Sequence, residues 1–219
     1  MHMTINIEHD VLQANKEIAI QNNNLLNKYK VTAFNIMGAI GSGKTTLIEL
    51  AIQKLSKKYK IGVIAGDIVA RIDASRFEAL GVPTIGMNTG KECHLDALMV
   101  EHALKKLPLR DLDLLFIENV GNLICPVDYI LGEHKRVVMV SVSEGDDIVN
   151  KHHKIFKESD LAIINKIDIA EAVGVDADKM MQDAQRINPN LKVLKTSKKT
   201  GEGIDKWIEF ILENCELCE

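Results

Sequence analysis

Residues 38–45, Gly38-Ala39-Ile40-Gly41-Ser42-Gly43-Lys44-Thr45, fit the pattern GxxxxGK[ST]. The flanks are those the pattern requires, an apolar β-rich run before it and helix formers after it. Glycines let the backbone curl around a phosphate and turn several N–H groups inward. The helix that follows adds its positive end. Gly41, Ser42, Gly43, Lys44, Thr45 and Thr46 therefore read as a phosphate cradle. Lys44 reaches the terminal phosphates as a point charge. The Thr45 hydroxyl can hold Mg²⁺, whose other positions go to water and phosphate oxygens.

Residues 161–168 read LAIINKID, so Asn165-Lys166-Ile167-Asp168 sits just past an apolar strand and matches the guanine-reading pattern NKxD. Guanine offers an N–H and an NH₂ side by side, which the Asp168 carboxylate can accept together. Adenine presents an acceptor there and would leave the carboxylate unpaired, a costly mismatch. Asn165 can bond the base or tie neighbouring loops, and the stem of Lys166 can lie along the ring. Thr196-Ser197-Lys198, after the last strand, resembles a loop whose backbone contacts the guanine oxygen, which adds Ser197 and Lys198 to the site. GTP rather than ATP is the expected nucleotide.

Hydrolysis needs a sensor of the γ-phosphate and a group that places water. Glu118-Asn119-Val120-Gly121 ends a strand and looks like a DxxG switch with Glu in place of Asp. Glu118 can hold Mg²⁺ through water, and the Gly121 N–H can contact the γ-phosphate. Asp67 ends the second strand and Asp73 follows six residues later. Either can complete the Mg²⁺ shell or position water, and either can equally be an ordinary strand-end or cap carboxylate. Lys44, Asp67, Asp73 and Glu118 form the expected catalytic set. No glutamine is placed by a motif to orient water, and no arginine finger is identifiable, Arg71 being only nearby. Slow intrinsic turnover is the expectation.

Cys93-His94 and Cys125 each follow a β-rich run through a short loop. In an open parallel sheet such loops gather at one edge, so the three side chains can meet despite their separation in sequence. They would then adjoin the phosphate site, because Glu118 and Gly121 lead directly into Cys125. Thiolate and imidazole suit Zn²⁺, Ni²⁺ or copper. Three ligands do not close a tetrahedral structural site, so a water, a transferable ligand or a two-fold-related subunit completes it. The bland alternative is two small buried hydrophobes and a loop histidine. His102, eight residues past His94, is a further possible ligand or a solvated surface residue. Cys215 and Cys218 form a lone CxxC, a weak metal signal without a second pair.

The elements that must position these groups are legible as alternation. Apolar β-rich runs fall at 31–37, 61–67, 82–88, 114–120, 137–142, 161–165 and 193–196, and helical patterns at 45–58, 95–107, 146–158, 176–187 and 203–214. Near-continuous apolar strands alternating with helices describe a mainly parallel sheet covered on both faces, a three-layer α/β fold. Residues 5–30 carry helix formers and read as one or two helices, so the expected organisation is an N-terminal helical extension over 1–30 and a nucleotide-binding domain over 31–219. The 219-residue chain is long enough to bury a core without staples. A net charge of −4 argues against nucleic acid as a partner. No apolar run approaches a bilayer's thickness, and no secretory signal is visible in MHMTINIEHD, so the cytoplasm, with no membrane contact, is the expected setting.

Taken together the motifs closely resemble the HypB family, the nickel-incorporation GTPases of hydrogenase maturation. The residues that carry this are GAIGSGKTT (38–46), GDIVARIDASRFEALGVP (66–83), CHLDA (93–97), ENVGNLICP (118–126), SVSEGDD (141–147) and NKID (165–168). The resemblance runs from about residue 10 to residue 212, and CHLDA with ENVGNLICP is its specific part. It implies a SIMIBI-class P-loop fold, GTP-linked dimerisation, and delivery of Ni²⁺ to a [NiFe]-hydrogenase large-subunit precursor with a HypA-type partner. It also implies that Cys93, His94 and Cys125 are interfacial ligands for Ni²⁺ or Zn²⁺, and that Lys151 lies near nucleotide across a dimer. Many relatives carry a cysteine-rich or histidine-rich N-terminal stretch, which MHMTINIEHD lacks. Tight nickel storage at that end is not expected. The rival readings are a urease-type nickel GTPase, against which ENVGNLICP argues, a GTP-binding metal storage or regulatory protein, and a nucleotide kinase, against which NKID argues.

Overall fold

The computed structural model describes residues 7–67, 71–90 and 92–215. Seven strands form its sheet: β1 (Thr32–Gly38), β2 (Ile61–Asp67), β3 (Thr84–Asn88), β4 (Leu114–Gly121), β5 (Lys135–Ser141), β6 (Leu161–Asn165) and β7 (Lys192–Thr196). They lie in the order β3-β2-β4-β1-β5-β6-β7, every neighbouring pair parallel. Strands β1 and β6 are buried along their whole length, as expected where helices cover both faces. The chain builds outward from β1 in both directions, and ligands bind at the carboxyl edge of such a switch point.

One face of the sheet packs on α2 (Lys44–Leu55), α3 (Arg71–Glu78) and α8 (Ile204–Glu213). Phe34, Ile36 and Phe116 of the strands meet Leu47, Ile48, Phe77, Trp207 and Phe210 there. The indole N–H of Trp207 donates to the Leu47 carbonyl at 3.2 Å, so the polar end of the largest buried side chain is satisfied. The opposite face carries two clusters. One lies under α1 (Ile7–Tyr29) and α4 (Ala97–Leu104), the other under α5 (Ile148–Lys151), α6 (His153–Lys157) and α7 (Ala177–Ile187). Asp96 caps α4 by accepting the Met99 N–H, and Asp176 caps α7 by accepting those of Asp178 and Lys179.

Three elements differ from the spacing-based expectation. Helix α3 is absent from the periodic pattern because only Ala74 and Phe77 of its described side chains face the core, too short a stripe to read. The expected helix over 146–158 is split at His152, which leaves helical geometry at φ −117°, ψ 39°. On an unbroken helix Val149 and Ile155 would point about 120° apart. The break lets Val149, Ile155 and Phe156 enter one cluster. The helix expected from residue 95 starts only at Ala97, so His94 stands on a loop and shares no helix face with His102. Among the described residues no helix is long and apolar enough to cross a membrane.

Candidate functional site

Residues 39–43 turn sharply between β1 and α2 and leave a cleft of about 400 Å³ lined by Gly41, Gly43, Lys44, Thr45, Thr46 and the end of β4. Helix α2 has Gly43 at its N-cap and no side-chain cap, so its first N–H groups are open to an anion. The Lys44 ammonium, nearly buried, donates to the Gly38 and Ala39 carbonyls at 3.0 Å each. That holds it folded over the cradle, where phosphate oxygens would compete for its protons. The Ser42 hydroxyl is buried in the same turn without a hydrogen-bond partner. The Thr45 hydroxyl donates to Glu118 Oε1 at 2.7 Å, and Glu118 is 4 % exposed. Two hard oxygens from α2 and β4 thus meet in the cleft, a donor pair that fits Mg²⁺. Gly121 lines the cleft against Ile40.

Asp67 closes β2 at this edge, but its side chain and those of Asp73 and Arg71 lie outside the described residues. Arg76, which no motif singles out, lines the phosphate cleft and pairs with both carboxylate oxygens of Glu49 at 2.8 and 2.7 Å.

The end of β6 is stitched to the phosphate turn. Asn165 Nδ2 donates to the Ser42 carbonyl at 2.8 Å, and Asn165 Oδ1 accepts the Thr196 hydroxyl at 2.9 Å. Lys166 adopts the left-handed region at φ 60° and its ammonium donates to the Gly41 carbonyl at 2.7 Å. The Asp168 carboxylate is exposed and held by the Ser197 hydroxyl at 2.6 Å. Ser197 also accepts the Thr200 N–H through its hydroxyl, which fixes the loop after β7. Lys198 points to solvent. The arrangement leaves a carboxylate free to accept two adjacent donors, beside a lysine stem suited to a planar ring.

Cys93, His94 and Cys125 converge: their ligand atoms all lie within 4.8 Å of one another. Cys93 Sγ is 3.8 Å from His94 Nδ1, and both thiols are free and partly buried. Asn122 Nδ2 donates to the Cys93 carbonyl at 3.3 Å, tying the two ligand loops. The His94 ring stacks on Tyr129, centroids 3.8 Å apart. Burial lowers the His94 pKa, against the opposing pull of Glu92 and Asp96, so the ring is biased to its neutral, metal-binding form. The hydrogen-bonded Cys93 thiol is the chief cause that raises the Cys125 pKa, with burial adding to it. Two thiols and a neutral imidazole at this spacing fit a soft or borderline divalent cation. His102 is exposed on α4 and outside this group. Lys151 pairs with Asp147 at 2.5 Å on the surface. Cys215 is buried just past the end of α8, in the cluster that α8 packs into, and Cys218 lies outside the described residues.

The CobW/HypB/UreG nucleotide-binding domain matches residues 32–195, the span from β1 to β7 that builds all three parts of this edge. The chain belongs to the HypB family. The probable hydrogenase maturation factor HypB of Methanocaldococcus jannaschii is 57% identical over 213 residues, covering 96% of each chain. The crystal structure of the hydrogenase maturation factor HypB from Archaeoglobus fulgidus matches with a TM-score of 0.86 at 53% identity, covering 91% of this chain and 97% of that one. The crystal structure of HypB from Helicobacter pylori in complex with nickel also gives 0.86, at 34% identity and 91% and 94% coverage. The expected three-layer fold is the observed one, with a sheet that is wholly rather than mainly parallel.

Four residues of this HypB-family chain at or beside the site were not singled out from the sequence: Asn15, Asn22, Arg76 and Tyr129. Asn15 and Asn22 lie on α1, which no motif marks. The aromatic four residues after Cys125 was the one available hint for Tyr129.

Proposed function

We propose that the chain is a GTP-hydrolysing metallochaperone that takes up nickel at Cys93, His94 and Cys125 and delivers it during [NiFe]-hydrogenase maturation. The observation that carries this reading is that the thiolate–imidazole cluster and the phosphate cradle share one sheet edge and are joined by β4. The names of the relatives, hydrogenase maturation factors, one of them solved with nickel, support the cargo and the process. Zn²⁺ satisfies the same donor set and is the competing ion.

In this reading Gly41 to Thr46 cradle the phosphates, Lys44 neutralises their terminal charge, and Asp168 with Asn165 reads guanine. Thr45 and Glu118, with Asp67 or Asp73, hold Mg²⁺, which supplies charge neutralisation at the β- and γ-phosphates. Three protein ligands fall short of a closed tetrahedral set, and the exposed Ile40, Leu98 and Ile124 surround this edge. Both features suit a GTP-linked homodimer that pairs two clusters across a two-fold axis. A HypA-type maturation partner and the hydrogenase large-subunit precursor are the proposed partner proteins. The free thiols of Cys93 and Cys125 suit a reducing compartment, and we assign the protein to the cytoplasm.

Phosphate release from GTP with Mg²⁺, compared between the wild type and Lys44→Ala, tests the hydrolase. Release unaltered by the substitution overturns it. Ni²⁺ affinity and dimerisation measured with GDP and with a non-hydrolysable GTP analogue test the coupling. Equal affinity and equal association in the two states overturn the chaperone mechanism.

A further inference from the structure

None of the phosphate or guanine chemistry uses α1, yet this helix grips both loops that carry the soft ligands. Cys93 and His94 lie on the loop from β3 to α4, and Cys125 on the loop from β4 to β5. Asn15 Oδ1 accepts the Ala97 N–H at 2.7 Å, three residues after His94. Its Nδ2 donates to the Ile130 carbonyl at 2.8 Å, five residues after Cys125. Asn22 repeats the span two turns further along the helix. Its Nδ2 donates to the Ala97 carbonyl at 2.8 Å and to the Leu131 carbonyl at 2.9 Å. Each side chain therefore bonds one loop and the other at once.

The contact is close as well as directional. Gly132 follows directly, at φ +100°, and a Cβ there would lie 2.6 Å from the Ala19 carbonyl oxygen and 2.6 Å from Asn22 Cβ. Asn23 Nδ2 donates to the Gly132 carbonyl at 3.0 Å. A second polar route under the cluster joins the same loops. Asn119 Oδ1 accepts the Leu95 N–H at 3.0 Å, and Asn119 Nδ2 donates to Asn35 Oδ1 at 3.2 Å. Asn35 Nδ2 donates in turn to Glu133 Oε1 at 3.1 Å, and Glu133 Oε2 accepts the Leu131 N–H at 2.7 Å.

Adhesion alone would not select these residues. Buried amides lose hydration that apolar side chains of similar size never had, and Asn22 Oδ1 is buried without a partner. What a bridging amide provides is a fixed distance between two backbones. We infer that Asn15 and Asn22 are positioning residues for the metal cluster. Their brace sets the separation of the Cys93–His94 loop from the Cys125 loop, and with it the geometry and affinity with which the three ligands hold a divalent cation. The inference rests on the reading of this cluster as a metal site given above.

The test uses the full chain and Co²⁺ as the probe, whose thiolate charge-transfer and d–d bands report ligand set and geometry. Asn15→Ala and Asn22→Ala are compared with wild type and with Cys93→Ala by titration against a competing chelator. The brace predicts a loss of Co²⁺ affinity of about tenfold, in the range for residues that orient metal ligands. It also predicts altered d–d bands, while GDP affinity stays at the wild-type value. A merely structural role would lower the melting temperature and leave affinity and bands unchanged well below it. Folded variants with wild-type Co²⁺ affinity and spectrum overturn the inference alone. A wild-type chain without the charge-transfer band overturns the metal reading and the brace together. Should Asn22→Ala fail to fold, Asn15→Asp carries the same test, since it keeps the acceptor for Ala97 and loses the donor to Ile130.

Discussion

Glu118 and Asn119 are consecutive on β4 and point to opposite faces of the sheet, one bonded to Thr45 of the phosphate turn and the other to the loop of Cys93 and His94. Glu118 Oε1 accepts the Thr45 hydroxyl at 2.7 Å, while Asn119 Oδ1 accepts the Leu95 N–H at 3.0 Å, one residue past His94. Alternation of side chains along a strand makes this division obligatory for neighbours. In the proposed mechanism, a shift of the β4 end that follows the γ-phosphate would reach the Cys93–His94 loop within one residue.

Asn119→Ala should weaken that link. Allosteric coupling of ordinary size changes affinity by about 5- to 150-fold between states. The ratio of Ni²⁺ affinities with a non-hydrolysable GTP analogue and with GDP should move towards one in the variant. Metal titrations in both nucleotide states measure it, and a wild-type ratio would place the coupling elsewhere.

Asp168→Asn should exchange guanine for xanthine. In the proposed site the carboxylate would accept from both the ring N–H and the exocyclic amine of guanine, whereas an amide offers one acceptor and one donor. Xanthine carries a carbonyl where guanine has its amine, so the amide matches it. Losing a charged hydrogen bond costs about 1.5–3 kcal/mol, which corresponds to GDP binding weaker by about 10- to 150-fold. Competition between GDP and XDP reads the exchange directly. Ser197, which donates to Asp168 at 2.6 Å, remains to hold either side chain.

The placement of the motif residues at one sheet edge was legible because each motif has a fixed spacing after its strand. Lys44 and Thr45 follow a glycine turn of the spacing a phosphate cradle requires, and NKID follows an apolar strand as the guanine-reading pattern does. The convergence of Cys93, His94 and Cys125 was legible as topology, since loops after parallel strands share an edge. The brace was not legible. Asn15 and Asn22 read as ordinary polar residues on a helix, because their partners are backbone groups 75 to 115 residues away. Backbone partners leave no residue type to recognise. Helix α3 escaped for a related reason, since the two core-facing side chains among its described residues, Ala74 and Phe77, make no period.

Gly132→Ala should destabilise more than Gly81→Ala. Both glycines have positive φ, +100° and +76°, so both substitutions strain the backbone. A Cβ at Gly81 meets open space, whereas one at Gly132 meets Ala19 and Asn22 of α1 at 2.6 Å. Overpacking adds about 1–3 kcal/mol to the strain shared by both. For a chain of this size each kcal/mol lowers the melting temperature by about 2–4 °C. Thermal unfolding of the two variants measures the difference, and equal midpoints would mean that α1 moves aside freely.

Glu144→Gln should reverse a pH-dependent loss of stability. Glu144 Oε1 accepts the Ser141 N–H at 2.8 Å in a capping box, while its Oε2 is buried without a hydrogen-bond partner. Burial raises its pKa, and the Ser141 N–H and the charges of Lys44 and Lys166 offset only part of that. The folded chain thus keeps this proton to a higher pH than the unfolded chain, whose glutamate titrates near 4.5. The stability gained from the protonated form is complete below that value. It is lost as pH rises through the raised, folded value, because there the folded state binds more protons than the unfolded one. Glutamine does not titrate. Denaturant unfolding from about pH 4 to about pH 8 should show the variant gaining on the wild type as pH rises. A stability difference constant across that range would mean that the carboxylate titrates alike in the folded and unfolded chains, with the Ser141 N–H, Lys44 and Lys166 offsetting burial in full.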